Sequence, residues 1–245
     1  MNFRVIPVID IMQGTAVHAV GGHREDYRPL KSTLSVASDP VEVALGLKEQ
    51  FGFDELYTAD LDGITKGEAN LPLLSKIFAT KDLSVMVDSG VNSPEEAERL
   101  LEIGAVKVVI GSETLNSLDS LGRVVDAVGG TSATGSVDVK DGKVLSRCRE
   151  LVEAKPVKAA RILEGCGVGE LILLDLSRVG SETGVDAHLV EAIVGAVDLP
   201  LLVGGGVSSI DDMRSLRDAG ASGVLVTTAL HRGLLSRREI DTVRL

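Results

Sequence analysis

Eight short runs rich in Val, Ile and Leu recur along the chain, and a helix-patterned stretch follows each. They cover Val5–Ile9, Glu55–Ala59, Leu83–Val87, Val106–Ile110, Thr134–Val137, Glu170–Leu174, Leu199–Val203 and Gly223–Val226. Runs apolar on both alternating faces are the mark of parallel strands covered by helices on both sides. The composition agrees: 44% of residues are hydrophobic, yet only 2% are aromatic and none is Trp, so the core is Val, Ile, Leu and Ala. In the segment SPEEAERLLEIGA, Ala97, Leu100 and Leu101 share one face, Ser93 and Glu96 form a capping box, and Gly104 stops the helix. Eight strictly alternating units in 245 residues are the count of a (β/α)8 barrel, an α/β fold. An open doubly wound sheet is the rival, but it rarely carries eight such units. No low-complexity linker divides the chain, which predicts one domain over residues 1–245.

The chain also repeats itself. VMVDSGVNS (Val85–Ser93) returns 116 residues later as LLVGGGVSS (Leu201–Ser209), and the alignment runs without a gap from Leu83 to Ser112. VIDIMQG matches SVDVKDG, setting Asp10 opposite Asp138, and ELYTADL matches ELILLDL, setting Asp60 opposite Asp175. The repeat predicts two homologous half-barrels, 1–125 and 126–245, with strands 1 to 4 pairing with strands 5 to 8.

The formal net charge of −11 argues against nucleic acid as a partner, since phosphate backbones reward Lys and Arg. Cys148 and Cys166 have neither metal nor redox spacing and read as ordinary reduced thiols. The start MNFRVIPVID lacks the layout of a signal peptide, and no apolar run reaches membrane-spanning length. The expectation is a cytoplasmic protein, a monomer or weak homo-oligomer, without membrane contact, metal or cofactor. The histidines are scattered; His23, beside Arg24, is the only one placed for ligand contact, and it also reads as a solvated loop residue.

A barrel of this kind places its site at the C-terminal ends of the strands. Asp10, Asp60, Asp138 and Asp175 each end an apolar run. Asp60 and Asp175 fit loop capping as well as function. Asp10 and Asp138 face each other across the mouth, where two carboxylates serve as base and acid once one of them holds its proton more tightly. Gly204, Gly205 and Gly206 follow strand 7 before a helix opening at Ser208 or Ser209, so backbone N–H groups and a helix end can meet an anion there. Thr227 and Thr228 follow strand 8 on the same side. The repeat predicts a second anion site at strands 3 and 4, around Asp88, Gly90, Gly111 and Ser112, and Asp175 is a further candidate contact. Two such sites would suit a ligand with a phosphate at each end.

VIPVIDIMQG, ADLDGITKGEANLPLL, SVDVKDGKV and LLVGGGVSS together resemble the phosphoribosylformimino-aminoimidazole carboxamide ribotide isomerases of histidine biosynthesis, over essentially the whole chain. The cyclase of the same pathway is a sister barrel, but PVIDIMQG and ADLDG fit the isomerase better. The resemblance implies an Amadori rearrangement: a protonated aminoaldose ring opens, a base removes the C2 proton, and the enolamine becomes an aminoketose. It puts the base on Asp10.

The sequence departs from that pattern where chemistry is done. After strand 6 the family carries a Lys/Arg-Asp-Gly-Thr run whose Asp is the acid; here it reads RVGS, with Val179 at that place. The acid role then falls vacant unless Asp138 or Asp175 takes it. A Trp that the resemblance implies in the strand 5 loop is missing, and VLSRCRE puts Arg149 near its place. His18 stands where strand 1 leads to an Arg in the family, Asp88-Ser89 replaces two glycines, and Thr227 replaces a third. A carboxylate about 4 Å from a phosphate is repelled by roughly 4 kcal/mol at an effective dielectric near 20. The strand 7/8 side is thus expected to hold a phosphate and the strand 3/4 side is not. Three readings follow: a diverged barrel enzyme acting on a phosphorylated sugar-type molecule, a genuine isomerase of the family, and a non-catalytic phosphate-ligand binding barrel.

Overall fold

The computed structural model describes residues 2–35, 37–180 and 184–244. Eight parallel strands close on themselves: β1 (Arg4–Met12), β2 (Glu55–Asp60), β3 (Ser84–Asp88), β4 (Lys107–Gly111), β5 (Ala133–Lys140), β6 (Glu170–Asp175), β7 (Leu201–Gly204) and β8 (Gly223–Val226). The last pairs with the first, Arg4 opposite Gly223 and Pro7 opposite Val226, which completes a (β/α)8 barrel. Helices wrap the outside, among them Pro40–Phe51, Pro94–Glu102, Pro156–Gly165 and Ile210–Asp218. The expected capping box is present: Ser93 Oγ accepts from Glu96 N at 3.3 Å, and the Glu96 carboxylate accepts from Ser93 N at 3.2 Å.

Two strand ends differ from the sequence expectation. β1 runs past Ile9 to Met12 and β5 past Val137 to Lys140 because each continues into a hairpin. Met12 pairs antiparallel with Thr15, and Lys140 with Lys143. Both turns put two consecutive residues at positive φ, Gln13-Gly14 at 52° and 73° and Asp141-Gly142 at 51° and 75°. That is the geometry a two-residue hairpin loop demands. β7 starts at Leu201 rather than Leu199; the proline at 200 has no N–H to give a ladder.

Two apolar layers result. The larger lies between strands and helices; the smaller fills the barrel itself, with Ile6, Met86, Val109, Ile172 and Leu202 at its centre. Below this plug, at the N-terminal ends of the strands, Arg4 pairs with Glu55 and Glu170, and Lys107 Nζ reaches Glu170 at 2.9 Å. This charged cluster lies across the bottom of the barrel. No helix among the described residues is long and apolar enough to cross a membrane.

Candidate active site

Above the plug the strand ends and loops enclose a cavity of about 280 Å³. Asp10, Asp88, Asp138, Gly111, Gly204–Gly206, Thr227 and Thr228 all line it. Gly90 and Ser112 stand behind the wall: Gly90 N donates to Asp88 Oδ1 at 3.0 Å, and Ser112 Oγ donates to Asp138 Oδ2 at 3.3 Å. Asp175 is turned away. It caps the single turn Leu176–Arg178, accepting from Ser177 N at 3.1 Å and pairing with Arg178 Nε at 3.0 Å. Asp60 likewise caps its own loop, accepting from Gly63 N and Asn70 N.

The three carboxylates in the cavity differ in how they are held. Asp10, on β1, accepts no side-chain hydrogen bond from the described residues, and loss of water around it pushes it up to about 7. A carboxylate poised there can take a proton near neutrality. Asp138, on β5, is the best anchored: Ser136 Oγ donates to it at 2.6 Å, Ser112 Oγ at 3.3 Å and Glu113 N at 3.0 Å. Burial raises it, and those donors pull it back to about 6. Asp88, on β3, has less support. Among the described residues it has, beyond Gly90 N, only the Tyr57 hydroxyl at 3.4 Å, and burial together with the charge of Asp138 pushes it up to about 7.

This revises the repulsion expected of Asp88. A carboxyl at about 7 costs only about half a kcal/mol to neutralise at pH 7, far below the roughly 4 kcal/mol of a fixed charge. A different obstacle to an anion exists on that side. Gly90 N and Glu113 N are already donating to Asp88 and Asp138. Their counterparts 116 residues on, Gly206 N and Ala229 N, have no acceptor among the described residues and lie on the cavity wall.

Val179 faces the cavity with Leu174, Leu176 and Leu225, so the place of the family's acid is an apolar wall. Ser181, which ends the RVGS run, lies outside the described residues. Arg149 is not where the resemblance suggested. It opens the short helix Arg149–Val152 and is exposed; Leu145, held by its N–H to Asp138 O at 2.8 Å, supplies that loop's contact with the cavity. His18 and His23 do not line the cavity, and His23 is exposed beside Glu25.

Sequence reasoning missed two tyrosines and an ion pair. Tyr57 sits among the aspartates, and burial with the charges of Asp88, Asp138 and Asp10 holds its hydroxyl well above its ordinary range. Tyr27 is pushed up to about 12 by burial and then by Asp10. Arg24 reaches Glu113 at 2.8 Å across the rim, and Lys140 lines the same side of the mouth as Asp138. Inward alternation along ELYTAD could have flagged Tyr57; nothing local marked Tyr27 or Glu113.

A (β/α)8 barrel with unevenly held carboxylates at the C-terminal mouth has the arrangement that acid–base catalysis requires. Residues 4–236 match the model of the family described as histidine biosynthesis protein. A 1-(5-phosphoribosyl)-5-((5-phosphoribosylamino)methylideneamino)imidazole-4-carboxamide isomerase of Natronomonas pharaonis is 34% identical over 99% of this chain and 98% of its own. The isomerase of the same name from Methanosarcina barkeri is 34% identical over 95% and 94%. An uncharacterized protein of Methanocaldococcus jannaschii is 32% identical over 97% of each chain. The chain belongs to the histidine biosynthesis protein family, in its isomerase branch.

Proposed function

We propose that this chain is a diverged member of the branch, an isomerase-type enzyme that moves protons on a sugar-type small molecule carrying a phosphate at one end only. The observation that carries this is the one-sided anion site. The N–H groups of Gly206 and Ala229, without an acceptor among the described residues, suit a phosphate, while Asp88 and Asp138 occupy the equivalent donors on the opposite wall. The apolar wall at Val179 supports the same reading, since a valine transfers no proton. Asp10 is the base. The opposite wall receives a neutral or cationic end of the ligand.

The names of the relatives favour a second reading, the two-phosphate isomerisation itself. Complementation separates the two. A histidine auxotroph lacking its isomerase is expected to stay auxotrophic while expressing folded protein. Growth at a normal rate would contradict divergence and favour the second reading.

A further inference from the structure

Gly111, at the end of β4, has no side chain where Asp88 and Asp138 approach each other. A Cβ there would lie 3.0 Å from Asp138 Oδ2 and 3.4 Å from Asp88 Oδ2, so both oxygens border one small volume on the cavity wall. Two carboxylates bordering one poorly solvated volume resist joint ionisation, so one of them tends to stay protonated. Their partners decide which one keeps it. Asp138 receives three donors, all of which stabilise an anion. Asp88 receives one backbone N–H and a phenol at 3.4 Å, and its Oδ2 borders the same volume as Asp138 Oδ2. The other ionisable groups facing the pair are Glu113 from the loop after β4, itself paired with Arg24, and Asp10 from β1. Lys140 from the end of β5 lines the same cavity.

We propose that Asp88 is the proton donor of this site, supplying from β3 the acid that Val179 cannot supply from the β6 loop. The inference rests on the function proposed above and gives that reaction its missing acid. For a bound N-glycosylamine, the Asp88 carboxyl gives its proton to the ring oxygen. The C1–O bond breaks with its electron pair going to that oxygen, and the nitrogen lone pair forms C1=N. Asp10 then takes the C2 proton; the C2–H pair becomes C1=C2, and the C=N pair returns to nitrogen. Asp10 returns its proton to C1, and the C2 hydroxyl proton goes back to Asp88 as C2 becomes a carbonyl. Both carboxyls end as they began, and no oxidant or other reactant is consumed. Asp138 and Tyr57 position Asp88; neither exchanges a proton with the ligand.

Two measurements test this. The first needs no substrate: the infrared difference between the unsubstituted chain and Asp88→Asn at pH 6. A protonated-carboxyl band that Asp88→Asn removes supports the donor; a difference showing only an ionised carboxylate overturns it. The second uses the glycosylamine formed from ribose 5-phosphate and propylamine, with hydrogen exchange at C2 followed in deuterated water. Asp88→Asn is expected to slow exchange by about 10²–10⁴-fold and remove the alkaline fall in its pH profile. Asp88→Gly should recover at least about tenfold with added acetate, which a merely structural side chain would not allow. Exchange within about threefold of normal with the alkaline fall intact overturns the assignment, as does indifference of Asp88→Gly to acetate. If Asp10→Asn stops exchange and Asp88→Asn does not, only the donor fails. If Asp10→Asn is also without effect, the proposed function fails and the donor with it.

Discussion

The turns after β3 and β7 share one sequence pattern, VMVDSGVNS and LLVGGGVSS, but their backbone N–H groups are engaged differently. After β7, Gly205 and Gly206 hold φ of 96° and 85°, and side chains there would come within 2.2 Å of Asp175 O and 2.3 Å of Gly184 O. Glycine is required because the β6 loop packs directly on the turn, and Gly206 N has no acceptor among the described residues. After β3 the close approach is made from the other partner. Gly63, in the β2 loop, yields to Ser89, whose carbonyl would lie 2.6 Å from a Cβ at 63. The β3 turn can therefore carry side chains, and Asp88 folds back onto the N–H that would otherwise face a ligand. The frame that forms the proposed anion cradle on one wall holds a pair of buried carboxylates on the other.

The largest effect expected from breaking this comparison is on turnover. Asp10→Asn should reduce C2 exchange by about 10³-fold or more, because every other carboxylate among the described cavity residues accepts a hydrogen bond. Next comes backbone strain: Gly205→Ala should destabilise by about 3 kcal/mol or more in urea titration, from positive φ and the contact with Asp175 O together. Ser89→Gly, at the matching position, should change stability by under about 1 kcal/mol. Equal costs at the two positions would break the contrast.

Asp88 itself should cost stability. Its carboxyl lies at about 7 in the fold against an ordinary value near 3.8, so between about pH 4 and 7 the folded chain holds a proton the unfolded chain has released. Stability from this group is greatest below pH 4 and falls as pH rises to about 7. Asp88→Asn should then stabilise by about 2–4 kcal/mol at pH 8 and by almost nothing at pH 4, read from urea curves at both. The smallest effect is in binding. Sulfate soaked into crystals should occupy the Gly204–Gly206 wall at concentrations about tenfold below any occupancy beside Asp88; equal occupancy would remove the one-sided site.

The barrel was legible because it depends on pattern: eight apolar runs with helical spacers leave few alternatives. The carboxylates Asp10 and Asp138 were legible from their matched places in VIDIMQG and SVDVKDG. The same two motifs hold the hairpin signal, since QG and DG are turn pairs, although the apolar runs end before them. What pattern could not give was direction. Asp60 and Asp175 end strands as Asp10 and Asp138 do, but their carboxylates close loops. Tyr27, Glu113 and Arg24 reach the cavity through loops whose paths depend on the whole fold. The repeat did show where the halves differ, at Asp88-Ser89; only the hydrogen bonds around it showed that the difference consumes donors as well as adding charge.

The central claim is that proton donation has moved from the β6 loop to β3, and the most direct measurement is a transplant back. In Asp88→Gly the glycosylamine exchange should fall by about 10²-fold or more. Adding Val179→Asp to that variant should restore at least about tenfold of it, because the new carboxyl would face the same cavity from the family's own position. An Asp88→Gly chain as active as the unsubstituted one, with Val179→Asp adding nothing, would contradict the account.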